Sequence, residues 1–198
     1  SSKAAAELVT AAYRHSFFAD PHAPRVATAR AGNVIGGGDF GAERLLPDIF
    51  SAASSGDTLR LRNPLAVRPW QHVLSPLSGY LLLAQSLYES PHHARAFNFG
   101  PAESDACTVE AIVRRVSELL PSPVSWEVDE QPHPPETPFL RLDSSLARER
   151  LGWTPAMGLE QALAATVAWH RTLGEGGDPR DITLTQIQAS TLGQAALE

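Results

Sequence analysis

The 198-residue sequence is short of several things, and each shortage removes a class of protein. It has one cysteine, Cys107. A disulfide needs two and a thiolate metal site needs several, so neither forms within the chain, and the composition suits a reducing compartment such as the cytoplasm. Positive charge is scarce: 16 Lys and Arg against 22 Asp and Glu leave a net charge of -6. A nucleic-acid surface gathers lysines and arginines on one face, and no such face is expected. Apolar runs such as 81–84 are far shorter than the roughly 20 residues of a membrane span. His72, His92, His93, His133 and His170 lack the paired spacing of metal ligands. No G-x-S-x-G elbow points to serine hydrolysis.

Helical and extended patterns alternate. Residues 3–18 read as a helix with Leu8, Ala11 and Ala12 on one face, ended by Pro21 and Pro24. A short strand is expected over 25–31, a helix over 45–53 with Pro47 in its first turn, and a strand over 59–61. Ser75-Pro76 reads as a serine N-cap followed by a first-turn proline, opening an apolar helix to Glu89 that should be buried on most sides. A strand over 96–99 follows. Thr108 is expected to cap a helix to about Leu120, with a strand over 124–128 and a four-proline loop over 129–138. Asp143 should cap a short helix through Arg150. A longer helix from Leu159 to about Leu173 precedes a last one near 184–192. The alternation predicts an α/β fold. The tryptophans Trp70, Trp126, Trp153 and Trp169 are expected to anchor the core.

Two groups of residues could carry chemistry. Gly36-Gly37-Gly38 follows a strand; it is read as a turn needing positive φ, with a phosphate cradle as the alternative. It has no P-loop lysine and is not read as a dinucleotide fingerprint. Arg62-Asn63-Pro64 and Arg68-Pro69-Trp70 flank extended or irregular chain, and Arg44 opens the helix after the glycines. A pyrophosphate needs two or more cations, and the planar fork of arginine suits it. Scattered surface arginines remain the other reading. His133, held among prolines, could touch a ligand or be structural. On residues alone the chain is an α/β domain with a possible site for a phosphorylated ligand.

Several segments together resemble the extended short-chain dehydrogenase/reductases that modify nucleotide sugars, in particular the branch acting on CDP-glucose. The matching segments are RAGNVIGGGDF (30–40), RLLPDIF (44–50), RNPLAVRPWQHVLSPLSGYLLLAQSLY (62–88), FNFGP (97–101), LGWTP (151–155) and ITLTQI (182–187). The resemblance implies an NAD-dependent enzyme with CDP-glucose as substrate. It divides the chain into the end of a Rossmann domain over 1–32 and a mainly sugar-nucleotide-binding region over 33–198, with 68–100 returning a helix and strand to the Rossmann sheet. Lys3 would be the lysine of a Tyr-x-x-x-Lys motif, catalytic and bound to the cofactor, its tyrosine lying before Ser1; the chain is therefore expected to begin within a longer protein. Ala31 would adjoin the nicotinamide. Asn33 and Arg68 would hold the diphosphate, Arg62 and Asn63 the base and ribose, and Arg44 and Leu45 would open the helix covering the nucleotide. His133 and Glu136 would lie in a closing loop, where His133-Pro134-Pro135-Glu136 departs from the usual His-Pro-His-Glu. A homodimer through the Lys3 helix, on a face of Ala4, Ala5, Leu8, Ala11 and Ala12, is also implied. Another nucleotide-sugar dehydratase or epimerase, or a catalytically silent nucleotide-binding module, are the alternatives.

Overall fold

The computed structural model describes residues 2–20, 22–133 and 135–190, and the α/β alternation is there. Pro21, Pro134 and the final stretch assigned to the last helix lie outside the described residues.

β1 (Thr28–Ala31) and β5 (Ala96–Phe99) pair in parallel, Thr28 opposite Ala96 and Ala31 opposite Phe99. α1 (Ser2–Phe17) runs along them in the opposite direction. Near its end Arg14 donates to the Ala94 carbonyl, just before β5. Earlier, Glu7 accepts from Thr28 Oγ1 at 2.9 Å and faces Arg30 at 3.6 Å, both within β1. Lys3, one turn before Glu7, is therefore displaced toward the C-terminal ends of the strands. α3 (Leu74–Glu89) and α5 (Ser145–Leu151) complete this unit, whose small core is Leu83, Phe97, Phe99, Ala147 and Trp153. A Cβ on Gly79 would stand 2.2 Å from the Phe99 ring, so only glycine lets α3 ride this close to β5.

The larger core lies between β2 (Asn33–Ile35), β4 (Val67–His72) and β6 (Ala106–Thr108), the pair β3 (Leu59–Leu61) and β7 (Trp126–Val128), and three helices. β2 and β3 each pair in parallel, with β4 and β7; β6 runs antiparallel to β4. α2 (Leu45–Ser55), α4 (Val109–Leu119) and α6 (Leu159–Gly174) each bury one apolar stripe. In α4 that stripe is Ile112, Val113 and Val116, the spacing of one helical face. α7 (Pro179–Ala189) hangs on α6: Trp169 donates to Thr183 Oγ1 at 2.9 Å and Gln186 to the Ala165 carbonyl at 2.8 Å. One buried side chain joins the two sheets. Gln71 on β4 donates to the Phe99 carbonyl of β5 at 2.7 Å, and its Oε1 has no partner.

Several sequence expectations change. Ser75 does not cap α3. Val73 holds that position with no side-chain bond, and Ser75, fully buried, accepts from the Ala156 amide at 3.1 Å. Nor is α3 buried on most sides, since Leu77, Leu81 and Tyr88 are exposed. Asp143 stands one residue before the N-cap of α5, where its Oδ1 accepts from the Ser145 amide at 2.9 Å. Residues 67–72, with Pro69 inside, form a regular strand despite the missing donor. On α1 the half-buried residues are Glu7, Thr10, Ala11 and Arg14, while Leu8 and Ala12 face outward. Trp70, Trp153 and Trp169 are buried, and Trp126 packs half-exposed against the larger core. Among the described residues no helix is long and apolar enough to cross a membrane.

Candidate functional site

Arg68, the second residue of β4, is mostly buried and ties the four-proline loop to the strand. Its Nη1 donates to the Thr137 carbonyl at 2.8 Å and its Nη2 to Glu136 Oε2 at 3.0 Å. Backbone bonds from Val67 to Pro138 and from Leu140 to Val67 fasten the same loop, so the prolines leave it irregular but anchored. Arg62 follows β3 and donates to Glu43 Oε2 at 2.9 Å. That hydrogen bond, with the charges of Glu43, Glu136 and Asp129, holds the guanidinium more firmly in its charged form. Arg62 and Arg68 thus share the field of one carboxylate, Glu136. Asn63 forms the adjoining turn, its carbonyl accepting from Ala66.

His133 bonds Asp129 at 2.9 Å. The Asp129 carboxyl is held below its ordinary pKa first by the Gln131 amide and then, after an opposing effect of burial, by His133. Asn33 opens β2, opposite Trp70, on the strand beside Arg68. Arg44 stands apart. It occupies the N-cap position of α2, and its guanidinium goes to Asp39 at 3.0 Å rather than to the Glu136 group. Leu45 packs half-buried against the larger core. Ala31 on β1 and Lys3 on α1 belong to the unit of the smaller core. Lys3, the only lysine of the chain, is exposed. The structure therefore gathers Arg62, Asn63, Arg68, His133 and Glu136, places Asn33 on the neighbouring strand, and sets Arg44, Ala31 and Lys3 apart from them.

The glycine loop is a packing feature. Gly38 has φ 78, as a turn needing glycine implies, and a Cβ on Gly37 would lie 2.1 Å from the Trp169 indole. Gly36, Gly38 and Gly41 do have the G-x-G-x-x-G spacing, but α2 starts only at Leu45, so no helix N-terminus opens on them. Sequence reasoning missed the acidic partners Asp39, Glu43 and Asp129. An arginine in an acidic chain will find a carboxylate, but nothing local in the sequence tells which. Among the described residues no group of three His, Cys, Asp or Glu side chains is placed to hold a metal ion.

The parallel strand pair crossed by an opposed helix and joined to a second core is a fold shared with solved structures. The chain matches dTDP-glucose 4,6-dehydratase from Bacillus anthracis, in complex with NAD, at a TM-score of 0.69 and 22% identity, over 90% of this chain and 53% of that one. It matches UDP-glucose-4-epimerase from Stenotrophomonas maltophila, with bound NAD and formylated UDP-arabinopyranose, at 0.72 and 19% identity, over 86% and 55%. These likenesses are of fold. In sequence, the chain is 46% identical over 182 residues to CDP-glucose 4,6-dehydratase of Salmonella typhimurium, 89% of this chain and 51% of that protein. The chain spans about half the length of the curated relatives it matches. No protein-family model matches it.

Proposed function

We propose that this chain is the substrate-gripping part of an NAD-dependent CDP-glucose 4,6-dehydratase, a hydro-lyase yielding CDP-4-keto-6-deoxyglucose. The observation that carries this reading is the 46% identity to such an enzyme along 89% of the chain. The pairing of Arg62 and Arg68 beside one anchored loop supports it in physical terms.

In this reading Arg68 and Asn33 hold the diphosphate, Arg62 and Asn63 the ribose and base, and Arg44 and Leu45 the helix end over the nucleotide. His133 and Glu136 belong to the closing loop. Arg68 also donates to the Thr137 carbonyl, so one guanidinium both meets the ligand and positions the loop. Binding energy from the nucleotide, which does not react, can orient the sugar for the chemical steps. The sugar is oxidised at C4, which acidifies the C5 proton; water leaves across C5–C6 and C6 is reduced. Bound NAD would store the hydride between the two redox steps.

The residues present fit a nicotinamide at the strand ends. Lys3 and Ala31 lie toward the C-terminal ends of β1 and β5, where open α/β sheets take ligands. A Cβ on Gly32 would come 2.8 Å from Pro69, so the glycine after Ala31 lets this chain pack closely against β4. Lys3 would hold the ribose and, by its charge, lower the pKa of a nearby phenol. The remaining cofactor contacts would come from residues outside these 198. We assign 1–32, with the helix and strand of 68–100, to the end of the dinucleotide-binding domain, and the remainder of 33–198 mainly to substrate; α5 and Trp153 also join the small core. A homodimer through the outward face of α1, with Ala4, Ala5, Leu8 and Ala12, belongs to the same reading.

Calorimetric titration with CDP-glucose and dTDP-glucose tests the assignment. CDP-glucose should bind more tightly than dTDP-glucose, without turnover by this chain alone. Arg68→Gln should weaken CDP-glucose binding by about ten-fold or more, the worth of a charge-assisted hydrogen bond. Equal affinity of the variant, or no binding by the chain, overturns the reading.

A further inference from the structure

Each arginine assigned to the nucleotide is already engaged. Asp39 holds Arg44 at 3.0 Å, Glu43 holds Arg62 at 2.9 Å and Glu136 holds Arg68 at 3.0 Å. Two of these carboxylates come from the one connection between β2 and α2. An incoming hydrogen-bond acceptor and a carboxylate cannot both occupy the same N–H donors of a guanidinium. Ligand binding at these arginines is therefore an exchange of partners.

Glu43 differs from the other two. Its φ is 61, and it is the one non-glycine residue with positive φ among the described residues. A residue bearing a Cβ takes that conformation only at a cost and persists there when its surroundings over-determine it. Here the side chain is held from outside the loop, accepting from Arg62 Nη2 at 2.9 Å. The carboxylate itself is largely exposed, so it can swing away without leaving a buried charge unpaired.

We infer that Glu43 is a latch on Arg62, a carboxylate that occupies the guanidinium until a nucleotide displaces it. Glu43 then sets affinity at this site by competing with the ligand. Occupants that offer Arg62 a strong acceptor can complete the exchange; those offering none leave the latch closed. This rests on the nucleotide reading above, because it takes Arg62 as a ligand contact.

The test is a double-mutant cycle read by calorimetric titration with CDP on the chain and its Glu43→Gln, Arg62→Gln and doubly substituted forms. Glu43→Gln keeps the side-chain shape and removes the charge. It should bind CDP roughly two- to five-fold more tightly than the parent chain, the scale of an exposed ion pair. The gain should vanish in the Arg62→Gln background and shrink with added salt. Glu43→Asp, which keeps the charge, should stay near the parent affinity; with cooperative melting in all forms, this separates the latch from a folding defect. Unchanged or weaker binding by Glu43→Gln, while the parent binds CDP, overturns the latch alone. A gain of equal size without Arg62 also overturns it, as the effect of one fewer negative charge nearby. No binding by any of the forms overturns the nucleotide reading and the latch with it.

Discussion

The two cores of the molecule are finished to different degrees. In the larger one, Ile49, Ile112, Val113, Val116, Ala162 and Leu163 have no exposed surface, and helices and strands close around them. The smaller one buries Phe97, Phe99 and Ala147 as completely, yet rests on two strands. A two-stranded sheet is marginal by itself. α1 contributes no buried residue to it, and α3 turns Leu77, Leu81 and Tyr88 to solvent. The small core therefore depends on its attachments, chiefly Trp153 against Phe99 at 5.1 Å, and its outer faces are open to further packing.

The strongest way to break this contrast is in the cores themselves. Phe99→Ala should cost about 3–5 kcal/mol and Leu163→Ala about 2–5 kcal/mol in urea denaturation. If the small core is the weaker unit, the near-ultraviolet signal of Trp153 in Phe99→Ala is lost at lower urea than the far-ultraviolet signal. Coincident transitions would show one cooperative body and remove the contrast.

An intermediate effect comes from His72, buried on β4. Burial pushes its pKa from 6.5 down to about 4. The unfolded chain then takes up the proton first, so stability is full above pH 6.5 and falls as pH drops toward 4. The loss is on the order of 3 kcal/mol. Asp143, whose carboxyl is held below 3.8 by bonds from Ser145, acts only at lower pH. The His72→Asn variant should flatten the acid limb of the urea midpoint between pH 6.5 and 4. An unchanged slope would clear His72 of the effect.

The smallest effect on folding concerns the open faces. Leu8 is 74% exposed, so Leu8→Glu should change stability by less than about 0.5 kcal/mol. In sedimentation it should turn a dimer into a monomer. A dimer that survives the substitution, or a monomeric parent chain, takes α1 out of the interface.

Legibility followed the range of the interactions. The strands Leu59–Leu61 and Ala96–Phe99 and the Thr108 cap were readable, because each rests on neighbours in sequence; Thr108 Oγ1 does accept from the Ala111 amide at 3.2 Å. Ser75 was misread because a cap and a buried acceptor for the distant Ala156 amide look alike in a sequence. β4 was obscured by Pro69, and β6 by its shortness. α7 begins at Pro179, earlier than expected, with Asp178 as its cap, because the apolar pattern strengthens only later in the helix. At the site, the arginines stood out as rare cations. Their acidic partners and the backbone of Glu43 did not, since they depend on loops meeting across the fold.

Gln71 gives the two-sheet arrangement a mechanical character. Its amide is a rivet whose hydrogen bond to Phe99 must break if the sheets swing apart. Hinge-like opening between the strand pair that carries Ala31 and the sheet that carries Asn33 and Arg68 is therefore stiff at its pivot.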